Sequence, residues 1–99
     1  MAQAIMMVTC SGGSFFYRDH YVDVHLPLAL ECWRRYGLES ASAFFPRETD
    51  ARDVSIGIYR FRDEAAIHAA LASPETATVM ADVPCFTDAS VSRVIGSPA

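Results

Sequence analysis

The stretch VSIGIYRF, residues 54 to 61, carries large apolar groups in both of its alternating sets: Val54, Ile56 and Ile58 in one, Tyr59 and Phe61 in the other. Successive side chains of a strand point to opposite faces, so this strand needs cover on both sides. The run AIMMVT, residues 4 to 9, beside a Ser-Gly-Gly turn, makes the same demand. Two further runs read as strands: SASAFFPR at 40 to 47, which the polar loop ETDARD joins to residues 54 to 61, and ASVSRVIG at 89 to 96. Pro46 places the former near an edge or an end.

The segments between the strands carry helical signals. Ser14 is placed to cap a helix that follows it, and from Tyr17 onward Tyr21, Val24, His25, Leu28 and Cys32 fall on one stripe at 100° per residue. Gly37 then closes the segment. Asp63 is placed to cap EAAIHAALA, Ser73-Pro74-Glu75 opens a second short helix, and DVPCFTD reads as a loop. The order βαββαβ predicts an α+β fold of ferredoxin-like type, a four-stranded antiparallel sheet with helices on one face. Helices cover only that face. The apolar second face is most simply covered by another copy, which predicts a homodimer packed sheet against sheet.

Composition narrows the class. Ninety-nine residues suit a single domain, 1–99, and 52% apolar against 20% charged residues is globular composition. A net charge of −4 argues against a nucleic-acid partner, which usually requires a basic stripe. No run approaches membrane-spanning length and the N-terminal residues lack the basic flank of a signal peptide, so a cytoplasmic protein without membrane association is expected. Cys10, Cys32 and Cys85 match neither a disulfide framework nor a metal-site spacing. Buried, reduced thiols are expected, and neither a metal nor a cofactor.

HLPL, residues 25 to 28, interrupts the helical stripe with a proline. Pro27 lacks an N–H and crowds the carbonyl four residues back, which predicts a break with Pro27 opening a new helical segment. His25 would then stand beside a helix N-terminus, whose positive end favours the neutral imidazole. A neutral imidazole facing an apolar pocket can take a proton or bind a hydroxyl. It can equally be a buried histidine that satisfies the backbone.

At this point the residues resemble a known family. FYRDHYVDVHLPLA is similar to the aromatic-x-x-x-Tyr-x-x-x-His-x-Pro-Leu signature of the EthD family, and ASPETATVMADVPCFTD to its Ser-Pro-Glu and Asp-x-Pro-x-Phe segment. His20 stands where an aromatic residue is expected in many members. The family is named after a protein required for bacterial degradation of ethyl tert-butyl ether and belongs to the dimeric α/β barrels, which include monooxygenases, isomerases, cyclases and some haem proteins. The resemblance implies the dimer more firmly than it implies a reaction.

With the resemblance, His25 is expected as the central catalytic group and Tyr21, one turn earlier, as its partner. Ligand contacts are expected from Tyr17, His20, Leu28 and Phe86, although His20 lies off the stripe and by position reads as a partly exposed surface histidine. Phe86 would anchor DVPCFTD over a pocket mouth. His68 reads as solvated, Asp82 as a loop cap and Trp33 as a space-filler. Two functions follow: cofactor-free acid/base or oxidative chemistry on a small apolar or aromatic molecule, or non-catalytic binding of such a molecule as an auxiliary to an oxygenase system. Haem on His25 would need a larger pocket than so short a chain is expected to enclose. No nucleophile elbow, phosphate loop or dinucleotide fingerprint is present.

Overall fold

Along β1 (Ala4–Ser11), Ala4, Met6 and Cys10 are buried and Met7 is exposed, the alternation of a strand with one covered face. The computed structural model describes residues 3–47 and 53–99. β1 pairs antiparallel with β3 (Asp53–Phe61), Met6 opposite Tyr59 on the covered face and Met7 opposite Ile58 on the other. β2 (Leu38–Phe44) lies outside β3 and β4 (Ser90–Gly96) outside β1, giving the order β2-β3-β1-β4 with every pair antiparallel. This is the expected ferredoxin-like α+β sheet. The strand expected at 40–47 runs instead from Leu38 to Phe44 and leaves Pro46 outside, and residues 48–52 of the loop ETDARD lie outside the described residues.

Among the described residues four α-helices cover one face: α1 (Arg18–His20), α2 (Leu26–Trp33), α3 (Glu64–Leu71) and α4 (Glu75–Ala81). Asp63 caps α3 as expected, its side chain accepting the Ala66 N–H at 2.8 Å. Gly37 takes φ +112° after a 3-10 turn at Arg34–Tyr36, a left-handed conformation that costs other residues more. Ser14 caps no helix. Its backbone N–H donates to Asp88 at 2.7 Å, which ties the turn after β1 to the segment before β4.

The expected break at Pro27 does not form. Between α1 and α2 the chain passes through a π-helical segment, Tyr21–His25, and His25 and Leu26 keep right-handed helical dihedrals. The Leu26 N–H reaches back five residues to the Tyr21 carbonyl. In a regular α-helix Pro27 would press on the carbonyl of Asp23; widening the turn relieves that contact without ending the helix. His25 therefore does not face an open helix N-terminus.

The wide turn holds one extra residue, so the buried stripe shifts by about one position beyond it. Leu26, Ala29 and Trp33 are buried rather than Leu28 and Cys32, and Val24 is exposed. Trp33 packs against Phe61 and Tyr59 in a core that also holds Met6 and Ile67. Each such side chain contributes about 1.5–3 kcal/mol when fully buried.

Among the described residues no element covers the opposite face of the sheet. Met7, Phe44 and Val94 are exposed there beside Ile56 and Ile58. The expectation of three buried thiols needs correction: Cys10 is buried, Cys32 half-buried and Cys85 exposed, all three free. Cys85 lies in a 3-10 turn, Val83–Cys85, whose short reach leaves its side chain at the surface. Among the described residues no helix is long and apolar enough to cross a membrane.

Candidate active site

The π-helical turn sets Tyr21 and His25 one above the other, their rings stacked at 5.6 Å and 17°. Both are buried. Phe86, from the loop before β4, closes on them with its centroid 4.6 Å from the His25 ring and 4.9 Å from the Tyr21 ring. Asp82, at the C-terminal end of α4, completes the group. Its Oδ2 accepts from His25 Nδ1 at 2.9 Å, and His20 Nε2 stands 3.1 Å from each carboxylate oxygen. One carboxylate thus holds two histidines, His20 with a side chain 29% exposed and His25 with one only 5% exposed.

The charges follow from burial and partners. Burial pushes the His25 imidazole below its ordinary pKa, against the pull of the Asp82 hydrogen bond and charge. The neutral form follows from burial and not from the helix dipole that the sequence suggested. Burial pushes the Asp82 carboxyl up, but the hydrogen bonds from His25 and His20 outweigh it and hold the group below the usual carboxylate range. An ionised Asp82 only accepts, so the His25 proton sits on Nδ1 and the Nε2 lone pair is left free. Nε2 makes no hydrogen bond among the described residues.

His25 and Tyr21 border an apolar cavity of about 40 Å³, with Tyr59, Trp33, Cys10 and Phe86 among its walls. A hollow of about 290 Å³ adjoins it, sharing Val8, Trp33, Met80 and Val91 and edged by Arg93. Among the described residues the buried hydroxyls of Tyr21 and Ser55 have no partner at full hydrogen-bond geometry, although Tyr59 comes near enough to Tyr21, and Cys10 to Ser55, to interact with them. Such a group costs about 1–3 kcal/mol, and a ligand oxygen would remove that penalty at Tyr21. Burial pushes the Tyr21 hydroxyl up to about 12 and raises Tyr59 as well, so both are neutral donors. Gly57 makes room for this arrangement: a Cβ there would collide with the Tyr21 hydroxyl and stand 2.8 Å from the Tyr59 ring.

Of the residues expected at the site, Tyr21, His25 and Phe86 line the cavity and His20 reaches it through Asp82. Tyr17 and Leu28 do not. Tyr17 precedes α1 and is 59% exposed, its backbone N–H tied to the Phe86 carbonyl at 2.8 Å. Leu28 is turned aside by the extra residue of the wide turn, which brings Trp33 to the cavity instead; Trp33 Nε1 donates to Thr76 at 3.2 Å. His68 is exposed beside Glu64, as expected. Asp82, expected as a loop cap, instead joins His20 and His25, which its local sequence alone does not reveal. Its place in the Asp-x-Pro-x-Phe segment was the available signal.

The EthD domain matches residues 15–90. A comparison with curated proteins finds no match. Among solved structures the chain is similar to an EthD-like protein from Ralstonia eutropha, with 15% identity over 98% of this chain and 93% of that one and a TM-score of 0.77. It is also similar to an ethyl tert-butyl ether degradation family protein from Bacillus halodurans, with 13% identity over 98% and 99% and a TM-score of 0.76. A third is SnoaB, a cofactor-independent oxygenase from Streptomyces nogalater, with 13% identity over 97% and 91% and a TM-score of 0.63. These likenesses show the fold. The domain match takes in the π-helical turn, Asp82 and Phe86 together, and the chain belongs to the EthD domain family.

Proposed function

We propose that the protein removes a proton from a small apolar or aromatic molecule, His25 Nε2 acting as the base while the Tyr21 hydroxyl binds the ligand's oxygen. The observation that carries this reading is the Asp82 Oδ2–His25 Nδ1 bond of 2.9 Å, which leaves the opposite ring nitrogen free beside the buried Tyr21 hydroxyl, near which Tyr59 stands as a weak neighbour. The small cavity takes the reacting end of the ligand and the adjoining hollow its body, near the lower limit of ordinary ligand sites. An anion formed there next to a carbonyl or an aromatic ring is electron-rich. It can isomerise, or react with dioxygen without a cofactor, and the shared fold of a cofactor-independent oxygenase supports the second route.

The same reading pairs two copies of the chain through the bare sheet faces, where Met7, Ile56, Ile58 and Val94 would otherwise meet water. Three free thiols suit the reducing cytoplasm.

The test is solvent-deuterium exchange into a panel of small aryl ketones, 2-tetralone among them, followed by mass spectrometry. Exchange above buffer is expected for the wild type. It should be lost in His25→Asn and His25→Leu, with both variants still folded by circular dichroism. Exchange that survives in His25→Leu would overturn the base, and binding across the panel without exchange would make the protein a carrier.

A further inference from the structure

We propose that His20, Asp82 and Cys85 form a site for a zinc-type divalent cation at the outer rim of the cavity. The donor atoms of the three side chains all lie within 4.8 Å of one another. His20 Nε2 is 3.1 Å from either oxygen of Asp82. A tetrahedral ion with nitrogen and oxygen bonds of about 2.0–2.1 Å sets those two ligands roughly 3.3 Å apart, so the imidazole and carboxylate already stand close to that edge. Cys85 follows three residues after Asp82 on the 3-10 turn, and its exposed side chain can rotate to close the third position.

The donor set selects the ion. One imidazole, one carboxylate and one thiolate suit a borderline ion such as Zn²⁺, whereas Mg²⁺ and Ca²⁺ prefer oxygen throughout. Support around the ligands is already built. The His20 ring stacks on Phe86 at 6.3 Å and 23°, and Asp82 Oδ2 is held by His25 Nδ1, the kind of outer hydrogen bond that orients a ligating carboxylate. With three protein ligands the fourth position is left to water or to a ligand.

Two of the three ligands stand where the family signature asks for something else or for nothing. His20 occupies a position expected to be aromatic, and Cys85 the second unspecified place of Asp-x-Pro-x-Phe. The site thus draws on residues that the signature does not specify. It does not rest on His25 being a base, because Asp82 serves the ion with one oxygen and His25 with the other.

The test is titration of Zn²⁺ into the reduced, metal-free full chain against a chromophoric chelator. One equivalent per chain is expected, at about 1 µM or tighter. His20→Ala and Cys85→Ser should each weaken it tenfold or more, and His68→Ala should not change it. Cobalt(II) in place of zinc should give a thiolate-to-metal charge-transfer band in the wild type that vanishes in Cys85→Ser. Zinc should also protect Cys85 from a thiol reagent while leaving Cys32 as reactive as before. Binding weaker than about 100 µM, or an affinity that neither ligand variant changes while both remain folded, would overturn the proposal.

Discussion

Asp82 accepts the Nδ1 proton of His25 at 2.9 Å across 57 residues of chain, and that bond orients the imidazole. Replacing Asp82 by Ala leaves a buried ring nitrogen without its charged partner, which costs about 1.5–3 kcal/mol. A urea melt should show the midpoint lowered by that free energy divided by the slope, about 1 M or more, with the slope itself unchanged. Asp82→Asn keeps an acceptor but lets the amide rotate and donate, freeing the other tautomer. Turnover should fall about ten- to hundredfold while most of the stability remains.

Tyr21→Phe separates stability from binding. The hydroxyl it removes is buried and meets no partner at full hydrogen-bond geometry among the described residues, with only the Tyr59 hydroxyl near it, so the ligand-free protein should melt within a few degrees of wild type. Affinity for an oxygen-bearing ligand should fall by about 1–2 kcal/mol. A larger loss of ligand-free stability would show that the Tyr21–Tyr59 contact is a full hydrogen bond and that the hydroxyl is not free for a ligand.

Gly57→Ala should damage the same site from the sheet side. The added methyl meets the Tyr21 hydroxyl and the Tyr59 ring, and overpacking of this kind costs about 1–3 kcal/mol. Combined with Tyr21→Phe, part of that cost should return, since one of the two colliding groups is gone. Additive losses in thermal melts of the single and double variants would place the strain elsewhere.

Light scattering should give about twice the 10.9 kDa mass of one chain. Ile58→Asp puts a charge in the middle of the bare face opposite Met7 and should yield monomer or aggregate. An unchanged dimer in that variant would place the contact away from the sheet.

Asp88 gives a prediction for acid. The side-chain and then the backbone hydrogen bonds from Ser14 hold its carboxyl below the usual range. A depressed folded pKa means that the stabilisation is complete above the ordinary carboxylate value and is lost as pH falls through the lowered one. Asp88→Asn should therefore melt earlier than wild type near pH 7, with the difference narrowing towards pH 2.

The fold was legible along the chain because strand alternation, the Asp63 cap and Gly37 are local signals that the final packing reinforces. The doubly apolar VSIGIYRF also marked that the face left open by the helices would be apolar. That Tyr21, His25 and Phe86 would lie together was legible too, through spacing and the family signature. Leu28 falls off the cavity because a regular 100° count cannot register a π-helical turn, whose extra residue rotates everything beyond it; Tyr17 lies before that turn on extended backbone, where a helical count does not apply.

Apolar periodicity and turn chemistry act over a few residues, and they set the βαββαβ order and put His25 on a buried helical face. The role of Asp82, its union with His20 and His25, and the meeting of Tyr21 with Gly57 arise between segments tens of residues apart. No period along the chain encodes such contacts. They exist because the sheet order brings the end of α4 against the π-helical turn, where a buried imidazole needs a hydrogen-bond partner and a carboxylate is within reach.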